Sequence, residues 1–242
     1  MANATLPSGP KTASSARQLA PTMKSLCRNS AATLNRAFAL LCLALCASGH
    51  AAELKTIALP KPQTDAGRPL MQVLRDRKSV RDFSTNALPA QTLANLLWAG
   101  FGINRPENAH RTAPSAMNCQ EIDLYVALPE GLLLHDAASN ELKPVHARDI
   151  RALTGGGAFS KVAPVAVILV ADQAKMKAKP ADREFYAAID AGHISQNMYL
   201  FCASEGLAAV VHDLDRAALA REMSLRPEQR IVIAMAVGFP RQ

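Results

Sequence analysis

Acidic residues are missing from the first 51 positions, which carry Lys11, Arg17, Lys24, Arg28 and Arg36. These five bases supply most of the formal charge of +7, because the rest of the 242-residue chain holds the other 22 of the 27 bases against all 20 acids, a net of +2. Aromatic residues are also few, at 5%. The folded part therefore lacks the basic stripe with interleaved aromatics that a nucleic-acid-binding module uses to release counterions and stack bases. No apolar run is long enough to span a bilayer: Ala37 to Ala47 counts 11 residues, against a need for about 20, so no stable membrane anchor is expected. Cysteine is scarce beyond position 51, where only Cys119 and Cys202 remain, and no Cys or His spacing fits a zinc site. What the chain does have is 49% hydrophobic residues, enough for one ordinary core and too many for a disordered segment.

From Met23 the order is a basic stretch (Lys24, Arg28, Arg36), the apolar run, and then Ser48-Gly49-His50-Ala51-Ala52, the layout of a cleavable secretory signal. Residues 1–51 are accordingly expected to form a leader, with Met23 an alternative start and cleavage after Ala51 or Ala52. A periplasmic or secreted location follows. Leu45 before Cys46 departs from a lipoprotein box, and no Arg-Arg pair precedes the apolar run. In an oxidising compartment Cys119 and Cys202 allow one disulfide or two free thiols. Residues 52–66 read as a linker and 67–242 as one domain.

Within that domain, hydrophobic periodicity predicts a helix over Pro69–Lys78 with Leu70, Val73 and Leu74 on one face. A second helix is expected after Pro89, burying Leu93, Leu96, Leu97 and Trp98. A hairpin is expected over Glu121–Leu128 and Leu132–His135, extended by Leu142–Val145. Lys161–Val170 ends in the unbroken apolar run Val165–Val170, which reads as a strand buried on both faces, and Asp182–Glu205 reads as the longest helix, capped by Asp182, closed by Gly206 and with its apolar positions Phe185, Ile189, Tyr199, Leu200 and Ala203 at helical spacing. Strand Leu207–Val211, helix Asp215–Met223 and strand Ile231–Val237 follow. The elements do not alternate as βαβ units, so the class is α+β with a mixed, mostly antiparallel sheet flanked by helices.

Two segments concentrate chemistry. Arg77-Lys78-Ser79-Val80-Arg81-Asp82-Phe83 gathers three cations and a hydroxyl within five residues, which suits an anion receptor and equally suits a helix C-terminus answering its own dipole. His110 to Glu121, with Arg111, Thr112, Pro114, Ser115, Ala116 and Asn118, is either a loop exposing polar groups to a heterocycle edge or an ordinary turn. Gly155-Gly156-Gly157 before Lys161 lacks the ending of a phosphate loop.

Together with Asp190, Gly192, Gln196 and Asn197 on the long helix, Gly206-Leu207 after it, and the closing Val237-Gly238-Phe239-Pro240, these segments resemble the FMN-dependent nitroreductase family, with the nearest likeness to its SagB-type branch of flavin dehydrogenases. The likeness spans Met71 to Arg241. It implies FMN as cofactor, bound at a homodimer interface. By that resemblance Arg77 holds the phosphate, Lys78 and Ser79 contact phosphate or ring edge, and Arg81 lies near the ribityl chain or the N1 and O2 atoms. It further implies that Pro114, Ser115 and Ala116 line the flavin, that Asn118 hydrogen-bonds its ring, and that Val211, His212 and Asp213 stand near N5. Asp213 occupies a place where relatives often carry Gly. Arg241 is the candidate for a final base on the phosphate.

No side chain is then required as a nucleophile, since the flavin carries the electrons, and neither His193 nor His212 is assigned as a catalytic base. The reading that results is an exported FMN-dependent oxidoreductase acting on a small conjugated, nitroaromatic or quinone-like molecule, with the electron donor open. The alternatives are a SagB-type dehydrogenase working in the oxidative direction and a flavin-binding electron carrier without turnover.

Overall fold

The computed structural model describes residues 53–241; the expected leader over 1–51 lies outside them. In chain order the elements are β1 (Ile57–Ala58), α1 (Leu70–Asp76), α2 (Ala90–Phe101), β2 (Ile103–Arg105), β3 (His110–Arg111), β4 (Ile122–Leu128), β5 (Gly131–Asp136), β6 (Glu141–His146), α3 (Phe159–Val162), β7 (Val165–Asp172), α4 (Arg183–Ser204), β8 (Ala208–His212), α5 (Arg216–Glu222) and β9 (Gln229–Gly238). Seven strands form one sheet in the order β1-β6-β5-β4-β7-β9-β8, and each of its six pairings is antiparallel. The α+β class with helices against the sheet is as expected. Strands β2 and β3 make a separate two-stranded ribbon that hydrophobic alternation does not reveal, because it carries only Ile103 as an apolar residue.

Strand β7 lies inside the sheet between β4 and β9, and all eight of its residues are buried, which explains its unbroken apolar run. It starts at Val165, where the apolar run begins: Lys161 and Val162 belong to α3, and Pro164, unable to donate to a ladder, separates the two elements. One core cluster packs Leu93, Leu96 and Leu97 of α2 and Ile194 and Met198 of α4 onto Val167, Leu169 and Met235. A second lies on the opposite face, where Leu219 and Met223 cover Ile168 and Ala234, and a third gathers Phe83, Ala163, Ala208, Val210 and Ala236.

Helix α4 corrects the expected burial pattern. Its inward stripe is Ala187, Asp190, Ala191, Ile194, Ser195, Met198, Tyr199 and Cys202, a regular i, i+3, i+4 series, and it mixes small and polar residues with apolar ones. Phe185 and Ile189, expected inside, fall off that stripe and are 65% and 40% exposed. On α1 only Val73 is buried, while Leu70 and Leu74 face outward. Asp182 precedes α4 without accepting a capping hydrogen bond; a 3-10 turn over Pro180–Asp182 leads into the helix instead. Gly206 has φ +70°, the left-handed residue that lets the chain reverse from α4 into β8. Cys119 and Cys202 are both free thiols. Among the described residues no helix is long and apolar enough to cross a membrane.

Leu97 has no exposed surface and sits between α2 and the sheet. Leu97→Ala is expected to lower the unfolding free energy by about 2–5 kcal/mol, measured as a shift of the urea midpoint at constant slope.

Candidate functional site

β8 ends the sheet, so its outer backbone groups need partners from elsewhere. The segment after α1 supplies them: Val80 N–H donates to Ala209 O at 2.8 Å. Two residues along, Val211 N–H donates to Tyr199 Oη at 2.7 Å, and Ser79 Oγ lies 2.9 Å from the same oxygen. The Arg77 guanidinium stands over the Tyr199 ring, 5.3 Å from its centroid, a cation–π contact. Tyr199 thus joins Arg77, Ser79 and Val211. It was read from the sequence only as a helix-face residue; the available signal was that a buried tyrosine hydroxyl needs a polar partner.

Phe83 anchors the far end of the segment. It is 1% exposed, bridges to Pro240 and packs against Phe159, whose ring meets His212 edge-on at 5.1 Å between centroids. Gly155 closes over the same imidazole, and a methyl group there would come within 2.7 Å of His212 Nδ1. His212 Nδ1 lies 3.3 Å from Asp213 O, and the buried Nε2 has no protein partner. Burial, and then the Arg81 cation, push the imidazole below its ordinary pKa, so the ring is neutral at pH 7.

The charges around this cluster divide into paired and unpaired sets. Arg68 and Arg75 pair with Asp76 at 2.5 and 3.1 Å. Arg241 pairs with Asp82 at 3.2 Å, and its backbone N–H donates to Asp82 O at the same length, so the penultimate residue is tied to the motif rather than placed beside Arg77. Asp213 points to solvent and pairs with Arg216 at 2.7 Å. Arg77, Lys78 and Arg81 take part in none of the ion pairs among the described residues. Val211, expected to offer its backbone to a ligand, spends its N–H on Tyr199.

The second predicted segment forms a separate cluster. Arg111 stands over the Phe101 ring at 5.0 Å, donates to Phe101 O at 3.0 Å, and holds Gln120 Oε1 at 2.9 Å. Gln120 N–H donates to Ser115 Oγ at 2.9 Å, and Gln120 Nε2 to Asn118 Oδ1 at 3.2 Å. Ala116 N–H donates to Asp190 Oδ2 at 2.8 Å. Within this loop Met117, Asn118 and Gln120 have φ of +54°, +51° and +49°, a left-handed conformation that costs a non-glycine residue about 1–3 kcal/mol, less for Asn. Side-chain bonds hold the strained backbone, and Pro114, Met117 and Asn118 face solvent.

The two clusters meet α4 at different places. Asp190 and Tyr199 are nine residues apart on α4, which places them half a turn apart in direction and about 13 Å apart along the axis. The first cluster gathers Arg77, Lys78, Ser79, Arg81, Val211 and His212; the second gathers Ser115, Ala116 and Asn118.

A model of the nitroreductase family matches residues 74–239. The crystal structure of a proposed nitroreductase from Ralstonia eutropha JMP134 is similar at a TM-score of 0.75 and 39% identity, covering 81% of this chain and 93% of that one. A proposed nitroreductase from Desulfovibrio desulfuricans, solved in complex with FMN, is similar at a TM-score of 0.54 and 25% identity, covering 73% and 89%. A proposed nitroreductase of Methanocaldococcus jannaschii is 26% identical over 58% of this chain and 76% of the relative. With the match covering both clusters and the sheet between them, the chain belongs to the nitroreductase family, whose members are FMN-dependent oxidoreductases.

Proposed function

We propose that this chain is an exported FMN-dependent oxidoreductase that moves two electrons to or from a small conjugated, nitroaromatic or quinone-like molecule. The observation that carries the reading is the set of three cations without acid partners, Arg77, Lys78 and Arg81, beside the buried unpartnered Nε2 of His212. Neighbouring Arg75 and Arg241 have carboxylates; these three do not. Such a set suits a phosphate dianion, which needs several fixed donors, and so the residues present fit FMN.

Arg77 and Lys78 hold the phosphate, and Ser79, fixed by Tyr199, presents its hydroxyl beside them. FMN, when bound, supplies the redox chemistry. Arg81 keeps a permanent positive charge where negative charge collects on reduction, at N1 and O2. His212, neutral and packed by Phe159, offers one hydrogen-bonding nitrogen and excludes water from its side of the site. Asn118, Ser115, Ala116 and Pro114 approach the ring from the other cluster, which in this reading belongs to a second copy of the chain. The exposed apolar side chains of Leu70, Met71, Leu74, Met117, Phe185 and Ile189 support such a homodimer, because large apolar surfaces left in water mark association sites.

The export signal keeps the electron donor open, since NAD(P)H is a cytoplasmic reductant. The SagB-type assignment, with dehydrogenation as the working direction, rests on the sequence pattern running from Arg77 to Pro240. Whether bound flavin is reduced by NAD(P)H or by a candidate substrate, and whether it passes electrons to quinones or nitroaromatics, separates the two directions and an electron carrier without turnover.

Purified protein incubated with FMN is expected to turn yellow and retain the flavin through gel filtration. The double variant Arg77→Ala, Arg81→Ala removes two charge-assisted contacts and is expected to weaken FMN binding by at least 100-fold, read by fluorescence titration; equal affinity removes this site. Phe185→Asp is expected to shift the protein to a monomer in sedimentation and to weaken FMN binding with it, whereas a parent that sediments as a monomer overturns the dimer. N-terminal sequencing after expression in a bacterial host is expected to begin at Ala52 or Glu53.

A further inference from the structure

The loop of Pro114 to Asn118 rests on a pair of acids that the flavin reading leaves unused. Glu121 has no exposed surface, and neither of its carboxylate oxygens meets a donor. Asp190 on α4 is 2% exposed; one of its oxygens accepts the Ala116 N–H at 2.8 Å, and its carboxyl bears on Glu121. Two carboxylates hydrogen-bond each other only through a shared proton. The loop they support holds Met117 and Asn118 in the left-handed region, with Gln120 just beyond it, so it needs an anchor to keep that shape.

We propose that Glu121 is a positioning residue: it keeps its proton, donates to Asp190, and so fixes the carboxylate that accepts the Ala116 N–H and holds the Pro114–Asn118 loop in its strained form. The role assigned to the loop rests on the flavin reading above; the proton-sharing pair does not. The charged groups that bear on Glu121 are Asp190 from α4 and Lys175 from the turn after β7. Lys175 is committed to Asp123 of β4 at 2.6 Å, which leaves the pair without a cation of its own.

The titration has a definite sign. Burial, reinforced by Asp190, raises Glu121 from 4.5 to about 7. The closed loop therefore binds a proton that an opened, hydrated loop releases, so closure is most favoured below about pH 4.5, weakens as pH rises, and levels off above about 7. Above that point two adjacent anions sit in an apolar setting, and the loop opens more often.

The test is amide hydrogen exchange on the protein without FMN, with Ala116 compared against Val126 in the core of β4, which cancels the intrinsic base catalysis of exchange. Protection at Ala116 relative to Val126 is expected to fall by up to tenfold per pH unit between about 4.5 and about 7. Glu121→Gln keeps a donor toward Asp190 and cannot titrate, so its relative protection is expected to stay flat. Asp190→Asn replaces the neighbouring anion by an amide that can donate to Glu121, and is expected to move the transition to lower pH. A flat profile in the parent, or a Glu121→Gln profile that follows the parent, overturns the proposal. Should the variants fail to fold, the parent profile alone decides. FMN titration of the same samples separates this proposal from the function: a titrating loop in a protein that binds no flavin supports the acid pair and overturns only the loop's flavin role.

Discussion

The constraint on which the candidate site depends is the open edge of the sheet at β8. An outer strand exposes alternate N–H and C=O groups, and such an edge must be covered or it invites pairing with another chain. Here Ala209 O takes the Val80 N–H and Val211 N–H finds the Tyr199 hydroxyl. Covering the edge fixes the path of residues 77–83, and fixing that path lines up Arg77, Lys78 and Arg81 beside the end of β8. The proposed anion-binding character of the site is thus a by-product of how a backbone edge is satisfied.

The electrostatics follow from that path. Asp76 and Asp82 lie within the same stretch as the cations, yet they are turned to Arg68, Arg75 and Arg241. These are exposed pairs of small individual worth, but their effect on composition is larger: they remove the local acids from competition, so three cations remain for an external anion. His212 adds to the polarity without adding charge, since burial and Arg81 hold its imidazole neutral. A neutral ring with one buried free nitrogen beside a cationic cluster can recognise a polar heterocycle as well as a phosphate.

How much of this the sequence disclosed depended on which force placed each residue. Hydrophobic periodicity located α2, the β4–β5 hairpin and β9 because burial on one face or both drives them, and the ordered motifs of residues 77–83 and 111–121 pointed to the two segments that form the candidate clusters. Phe185 and Ile189 misled because periodicity records where apolar residues stand and not which stripe of a helix is turned inward; α4 buries alanines and Asp190 instead. The ribbon of β2 and β3 left no trace because it is held by backbone pairing and by Arg105, which donates to Arg111 O at 2.8 Å. Tyr199 and Asp190 were invisible as partners of Ser79 and Ala116 because hydrogen bonds across 120 and 74 positions have no local signature.

Helix α4 finally explains why the site is divided. It is the one element that touches both clusters, through Asp190 on one side and Tyr199 on the other, and the half turn and 13 Å between them are set by helical geometry alone. The buried stripe from Ala187 to Cys202 holds both ends of that span in place. In the proposed dimer the cations of residues 77–81 and the loop around Asn118 come from two copies, and the apolar residues left exposed on α1, on α4 and at Met117 form the surface on which those copies meet.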